Sequence, residues 1–166
     1  MVEAIEFKNA MSLLTSAVHI VTTNGETGHH GFTASAVCSV TDTPPTLLIC
    51  MNKSSRSHAH FIENKVLCVN VLSAEQQPIS DVFASSKFNA QARFQQGEWT
   101  TLTTGCLALK NALVNFDCKI EQIQEVGTHS IFICPIVAIQ KNQIDQALVY
   151  FNRRYHEVGE MEINES

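Results

Sequence analysis

Three stretches of this sequence combine residue types that could do chemistry on a small molecule. The first runs from Gly31 to Pro45, Gly-Phe-Thr-Ala-Ser-Ala-Val-Cys-Ser-Val-Thr-Asp-Thr-Pro-Pro. At period two, Phe32, Ala34, Ala36, Cys38 and Val40 fall on one face and Thr33, Ser35, Ser39 and Thr41 on the other, with Val37 the exception. That alternation describes a strand with one face in the core. Its second face carries short hydroxyls where Lys and Glu usually meet water. Small residues let a flat ligand approach the backbone, and hydroxyls can donate to or accept from its edge. A Ser/Thr-rich outer strand with good β-propensity is the plainer alternative.

The second stretch, Asn52-Lys53-Ser54-Ser55-Arg56-Ser57, sets two cations and three hydroxyls ahead of a short helix through Phe61 and Ile62. A hydroxyl-rich turn feeding a helix favours an anion, a phosphate above all. Helix capping by Ser55 or Ser57 is the alternative without a ligand. In the third stretch, Gly127-Thr128-His129, the glycine permits close backbone approach or a positive φ, and the histidine stands at the mouth of a strand. His29-His30 and His58-x-His60 have no third ligand at a matching spacing, so no metal site is expected. Neither Ser nor Cys sits in a nucleophile elbow, which leaves hydrolase chemistry unsupported.

These stretches need a scaffold of strands. Phe7, Ala10, Met11 and Leu14 recur as one helical stripe at the start. Ala17 to Thr23 then turns β-like, and Asn24-Gly25 with Gly28 offers a hairpin turn into the hydroxyl strand. Pro44-Pro45 stops that strand, since proline cannot donate to a ladder. Leu47 to Met51 and Val66 to Leu72 read as buried strands, and Ser73-x-x-Gln76 as a capping box before a helix bearing Ile79, Val82 and Phe83. Ala84 to Thr104 is weakly patterned: a loop, with a helical turn around Asn89 to Phe94, of the length that often serves as a lid. Trp99 within it is expected to be a packing anchor. Val114 to Glu121 alternates as a half-exposed strand, Ser130 to Ile139 is a long apolar run interrupted by Pro135, and Ala147 to Phe151 is a final strand closed by Asn152-Arg153-Arg154-Tyr155-His156. The polar tail after Gly159 is expected to fray. Seven or so strands with few helices indicate an antiparallel barrel, and no GxGxxG supports a Rossmann site.

With 166 residues the chain suits one domain, 1–166, with a sizeable core. Charged residues make up only 16%, which hints at surface covered by a second subunit. A net charge of −5 argues against nucleic acid, and no apolar run suits a membrane span or signal peptide. The six cysteines sit singly in apolar runs with no CxxC pair, as core residues of a cytoplasmic protein would.

The ordered motifs Gly31 to Val40 with Pro44-Pro45, Cys68-Val69-Asn70-Val71-Leu72, Gly127-Thr128-His129 and Tyr150-Phe151-x-Arg153-Arg154-Tyr155-His156 resemble the short-chain flavin reductases from Phe7 to Met161. Within that family the likeness is to reductases serving 4-hydroxyphenylacetate 3-monooxygenase. The resemblance implies a mainly β split barrel of the FMN-binding, Greek-key type with a few short helices, working as a homodimer. It implies hydride transfer from NADH or NADPH to N5 of FAD or FMN, the reduced flavin diffusing to a separate oxygenase. Thr33, Ala34, Ser35, Ala36, Cys38, Ser39 and Val40 would line the isoalloxazine. Asn52, Lys53, Ser54, Ser55 and Ser57 would hold the ribityl and phosphate groups. Asn70 joins this set, with Tyr150 and Arg153 at the ligand's outer edge. His129 would sit beside the nicotinamide as the catalytic-site residue, although Gly-Thr-His replaces the Gly-Asp-His of many relatives. A non-catalytic flavin-binding barrel and an oxidase with tightly bound flavin are the competing readings.

Overall fold

The computed structural model describes residues 1–159; the tail expected to fray lies outside them. The chain begins with α1 (Ala4–Met11), β1 (Ser16–Ala17) and the hairpin β2 (His19–Gly25) and β3 (Gly28–Ala34). A second hairpin, β4 (Val37–Asp42) and β5 (Pro45–Asn52), leads through α2 (His58–Asn64) to β6 (Val66–Val71). A single 3-10 turn (Ala74–Gln76), α3 (Gln77–Ala84), α4 (Ala90–Phe94) and the short strands β7 (Trp99–Thr101) and β8 (Leu107–Leu109) follow. The last third holds β9 (Val114–Lys119), β10 (Gln122–Val126), β11 (His129–Lys141), β12 (Ala147–Phe151) and β13 (Arg154–Val158).

The main sheet runs β3-β2-β6-β9-β11-β5-β4, antiparallel throughout, with β10 paired to β11. Its two edge strands, β3 and β4, are consecutive in the chain, separated only by Ser35-Ala36, yet they do not pair with each other. The ladder is therefore open at one seam, which makes this a split barrel. Between β5 and β6, neighbours in sequence, lie β9 and β11, a crossover of the Greek-key kind spanned by α2. Long β11 serves three partners: its first half lies between β10 and β5, pairing with β5 as far as Pro135, and a bulge at Ile136/Ala138 turns the second half onto β9. A proline that cannot donate, placed at the change of partner, costs the sheet little.

The seam corrects one expectation from the sequence. Gly31 to Val40 is not one strand with a buried face: the ladder breaks at Ser35-Ala36, and Cys38 and Val40 are exposed in the single chain. The helix expected at the N-terminus forms, but its apolar stripe turns outward. Phe7, Met11 and Leu14 are all exposed, and α1 has no buried residue.

Inside the barrel, Val21, Ile49, Leu67, Val69 and Phe132 are fully enclosed. From α2, Phe61 plugs one end, edge-on to Phe32 at 5.3 Å between ring centroids and stacked over Phe132 at 6.2 Å. Truncating so deeply buried a ring costs about 3–5 kcal/mol. Below α3 a second cluster gathers Phe83, Phe94 and Trp99 with centroids 5.0–5.7 Å apart, which makes Trp99 the expected packing anchor. The capping box at Ser73 and Gln76 is also present. Among the described residues no helix is long and apolar enough to cross a membrane.

Candidate functional site

A cavity of about 550 Å³ opens at the seam, within the range of about 300–1,000 Å³ usual for small-molecule sites. One wall is Thr33, Ala34, Ser35 and Ala36, where the chain passes from β3 to β4. Side chains this small leave the backbone open to a flat ring. Ser35 and Ala36 belong to neither ladder; their carbonyls accept from Val37 N and from Cys50 N, each at 3.0 Å. Two contacts set this wall: Thr33 Oγ1 donates to Ser80 O of α3 at 2.7 Å, and buried His19 Nδ1 lies 3.0 Å from Ala34 O. Burial depresses the His19 pKa, so the ring is held neutral and Nδ1–H is the donor.

From β5, Cys50, Met51 and Asn52 form the facing side. The Cys50 thiol is pushed up by burial and by neighbouring Cys38. Beyond β5, Asn52 Oδ1 accepts from both Ser54 N and Ser54 Oγ at 2.9 Å, which curls the Ser54-Ser55-Arg56 turn over the end of the cavity. Lys53 N donates to Thr128 O at 2.9 Å, and the β5–β11 register sets Asn52 opposite His129. Two stretches 75 residues apart in the sequence thereby meet at one mouth. Gly127, at φ 54°, makes the turn that a side chain would strain. Exposed His129 has its Nδ1 2.9 Å from Thr128 Oγ1, so a hydroxyl touches the ring.

Sequence reasoning had Arg56 inside the anion-binding turn but missed the second arginine, Arg93. Arg56 Nη2 donates to Ser86 O and Phe88 O at 3.1 and 3.0 Å. Arg93, on α4, donates to Gly31 O and Ser85 O, both at 2.8 Å, and lies 6.0 Å from the centre of the Phe83 ring. These bonds fasten the 84–94 segment over the cavity. Its Nε is buried with no acceptor, and burial together with the Arg56 charge lowers its pKa. No carboxylate lines the cavity, so two guanidinium groups face it without a counter-ion. The available signal was Arg93 itself, one of only two cations between Ala84 and Thr104.

Of the expected site residues, Thr33, Ala34, Ser35, Ala36, Asn52, Ser54, Ser55 and His129 come together here. Ser57 is buried and lines a smaller neighbouring cavity, while Lys53 pairs with Glu125 at 3.6 Å. Cys38, Ser39 and Val40 stand outside the cavity, exposed on β4. Tyr150 packs edge-on to Tyr155, and Arg153 Nη2 donates to Asn9 Oδ1 of α1 at 2.8 Å, both away from this cavity. Asn70 is a core residue. It is fully buried, its Nδ2 donates to Ile20 O at 3.0 Å, and its Oδ1 accepts from Leu109 N and Asn115 Nδ2 at 2.8 and 2.7 Å. Every polar atom of that side chain is used inside the barrel. Among the described residues no cluster of three His, Cys, Asp or Glu could hold a metal.

A split barrel with a small-residue seam, a hydroxyl-rich turn and two unpaired guanidinium groups defines a barrel built to hold a flat, phosphate-bearing ligand. Comparison with known proteins makes the class specific: residues 11–159 match the flavin reductase like domain, and the chain belongs to that family. It is an oxidoreductase of the flavin reductase type. The chain is similar to the FMN reductase (NADH) RutF of Pantoea ananatis, 54% identical over 93% of this chain and 81% of that one. The RutF of Escherichia coli K12 is 51% identical over 90% and 91% of the two chains. A crystal structure described as a flavin reductase of Haemophilus somnus superposes with a TM-score of 0.92 at 58% identity, covering 95% of this chain and all of that one. BorF, the flavin reductase component of a bacterial two-component tryptophan halogenase, gives 0.89 at 25% identity over 96% of this chain and all of its own.

Proposed function

We propose that the protein reduces FMN with NADH and releases the reduced flavin to a separate oxygenase. The observation that carries this reading is the seam, an open backbone step walled by Ala34, Ser35 and Ala36 and ending at Arg56 and Arg93. Its dimensions and its uncompensated positive charge fit a flat ring bearing a phosphate. The RutF relatives, named for FMN and NADH, support these two partners over FAD and NADPH. Their names do not support 4-hydroxyphenylacetate 3-monooxygenase as the oxygenase, and the proposal leaves that substrate open. Six unpaired cysteines suit a reducing, cytoplasmic compartment.

Bound flavin supplies a hydride acceptor, and bound nicotinamide the donor, so the protein's main task is to set two rings face to face. Thr33 to Ala36 would support the flavin ring, with the Ser35 and Ala36 amides and the Thr33 and Ser35 hydroxyls as the groups that could bond its polar edge. Backbone donors there stabilise the negative charge that reduction places on the ring system. Ser54, Ser55 and Arg56 take the ribityl hydroxyls and phosphate. His129, at the exposed mouth, orients the nicotinamide through its carboxamide and transfers no proton.

A homodimer completes the proposal. The single chain exposes Ile5, Phe7, Met11, Leu13 and Leu14 around α1, and Val40, Ile123, Val126, Val137 and Ile139 on β4, β10 and β11. So much exposed apolar surface is costly to leave in water. Covering β4 would also bring Cys38, Ser39 and Val40 into an enclosed setting. The test of function is the loss of reduced-nicotinamide absorbance with and without added flavin. Turnover that saturates with free FMN supports the proposal; no turnover with either flavin overturns it and favours a binding barrel.

A further inference from the structure

Behind the arginines lies a second, smaller cavity of about 180 Å³, lined by His30, Arg56, Ser57, His60, Asn89 and Arg93. It shares Arg56 and Arg93 with the main cavity, so the two compartments adjoin at the end assigned to the flavin phosphate. Its lining holds two guanidinium groups, two imidazoles, one hydroxyl and one carboxamide, and no carboxylate. That composition has one chemical complement, a compact anion with several acceptor oxygens.

The histidines add a condition. The rings of His30 and His60 stack with centroids 3.5 Å apart and planes within 4°. His60 Nδ1 is 2.8 Å from Thr27 Oγ1, while His30 bonds the Thr27 backbone and leaves its Nε2 buried with no partner. When Nδ1–H of His30 serves the Thr27 carbonyl, Nε2 is a bare lone pair, which repels an oxyanion until it takes up a proton. The charged and titratable neighbours on the surrounding elements are His29 on β3, Arg56, Arg93 on α4 and His60 on α2. The carboxylates closest in sequence, Glu26 in the β2–β3 turn and Glu63 on α2, are exposed and do not line the cavity. Burial, then the His60 charge, lowers the pKa of His30, so the ring is neutral in the free protein above about pH 6.5.

We propose that this compartment is a proton-linked subsite for the second phosphate of a dinucleotide, loaded more tightly when His30 is protonated. The inference rests on the flavin reading of the main cavity and extends it. A mononucleotide such as FMN has one phosphate, which Ser54, Ser55 and Arg56 take. FAD and NADH each carry a pyrophosphate that can reach across Arg56 and Arg93. FAD is the sharper probe because its pyrophosphate has no proton to gain between pH 6 and 8, so any pH dependence of its binding belongs to the protein. The sign follows from linkage: phosphate favours the protonated ring, so affinity rises as pH falls.

The experiment titrates the protein with FMN, with FAD, and with NAD⁺ on the FMN-loaded protein, from pH 8.0 to 6.0 at constant ionic strength. Flavin fluorescence reads the first two, and calorimetry the third. The expected result is that FAD or NAD⁺ binds measurably tighter at pH 6.0 than at pH 8.0, by a factor approaching the limit of about three- to tenfold that a rise of about half to one unit in the ring's pKa sets. The arm that tightens identifies which dinucleotide uses the subsite. His30→Asn, which keeps a donor for the Thr27 carbonyl but cannot titrate, removes the tightening. His60→Phe keeps the stack and deletes the neighbouring charge, so the midpoint moves to higher pH. Pyrophosphate-ligand affinities that are flat with pH, or a slope that survives in His30→Asn, overturn the subsite while FMN binding leaves the main cavity's assignment standing. Failure of all ligands to bind overturns both.

Discussion

Replacing Asn70 by Ala separates a core role from a ligand-binding one. The side chain sits in a barrel with no exposed surface and bridges three elements: Ile20 on β2, Leu109 on β8 and Asn115 on β9. Alanine leaves Leu109 N–H without an acceptor. Asn115 Nδ2 is affected less, because it keeps a 3.1 Å bond to Leu109 O. An orphaned buried donor costs about 1–3 kcal/mol, a weakened one less, and the vacated amide volume adds a cavity penalty. Together these give a destabilisation of about 3–5 kcal/mol. In a chain of this size each kcal/mol lowers Tm by about 2–4 °C, so the variant should melt about 6–20 °C below the parent. Thermal unfolding by circular dichroism measures it, alongside KM for FMN at a temperature where both proteins are folded. KM should stay within about twofold, since no atom of Asn70 reaches the cavity wall. A variant with parental Tm and a KM raised tenfold would refute the reasoning and place Asn70 in the site.

Three other outcomes follow from the same geometry. His129→Ala should lower kcat/KM for NADH by about tenfold with little change in KM for flavin, because about 1–2 kcal/mol of orientation is lost; an unchanged kcat/KM removes the histidine's role. Cys50 lines the flavin cavity with its thiol pushed up, so its alkylation should be slow near neutral pH, faster as pH rises, and blocked by saturating FMN, as mass spectrometry of the labelled peptide would show. His19 is neutral when folded but protonates in the unfolded chain below about pH 6.5, so urea stability should fall as pH drops from 6.5 towards 5. His19→Asn, which retains the donor to Ala34 O, should flatten that fall; an equally steep decline in the variant would assign it to other groups.

Local pattern carried much of the fold. Asn24-Gly25 with Gly28 marked the β2–β3 hairpin, Ser73-x-x-Gln76 the capping box, and Asn89 caps α4 through a 2.8 Å bond from Ala92 N. What escaped was set by partners distant in sequence. The alternation of small and hydroxyl residues runs without interruption through Ser35-Ala36, yet the ladder breaks there because β3 is paired by β2 and β4 by β5. Asn70 entered the expected site only through the resemblance of its Cys68 to Leu72 motif, while the strand around it read as buried. The hydrogen-bond partners that make it a core residue lie 39 and 45 residues onward, at Leu109 and Asn115. The stripe on α1 was correctly helical, but no periodicity states what a stripe will face. Arg93 lay in a segment too weakly patterned to single it out.

The open seam accounts for why this barrel and not a closed one suits the chemistry. Joining β3 to β4 by a ladder would use the backbone groups of Ser35 and Ala36 on each other and fill the space between the strands. Leaving the two edges apart normally exposes a protein to unwanted strand pairing. Here the 84–94 segment, fastened by Arg93 to Gly31 O and Ser85 O and by Arg56 to Ser86 O and Phe88 O, covers one side of the gap. His129 guards the other side without closing it. The result is a slot with a rigid floor and an unobstructed mouth. A flavin that must leave after reduction needs such a slot: enough fixed donors to align it for hydride transfer, and no covalent or fully enclosing contact to hold it afterwards.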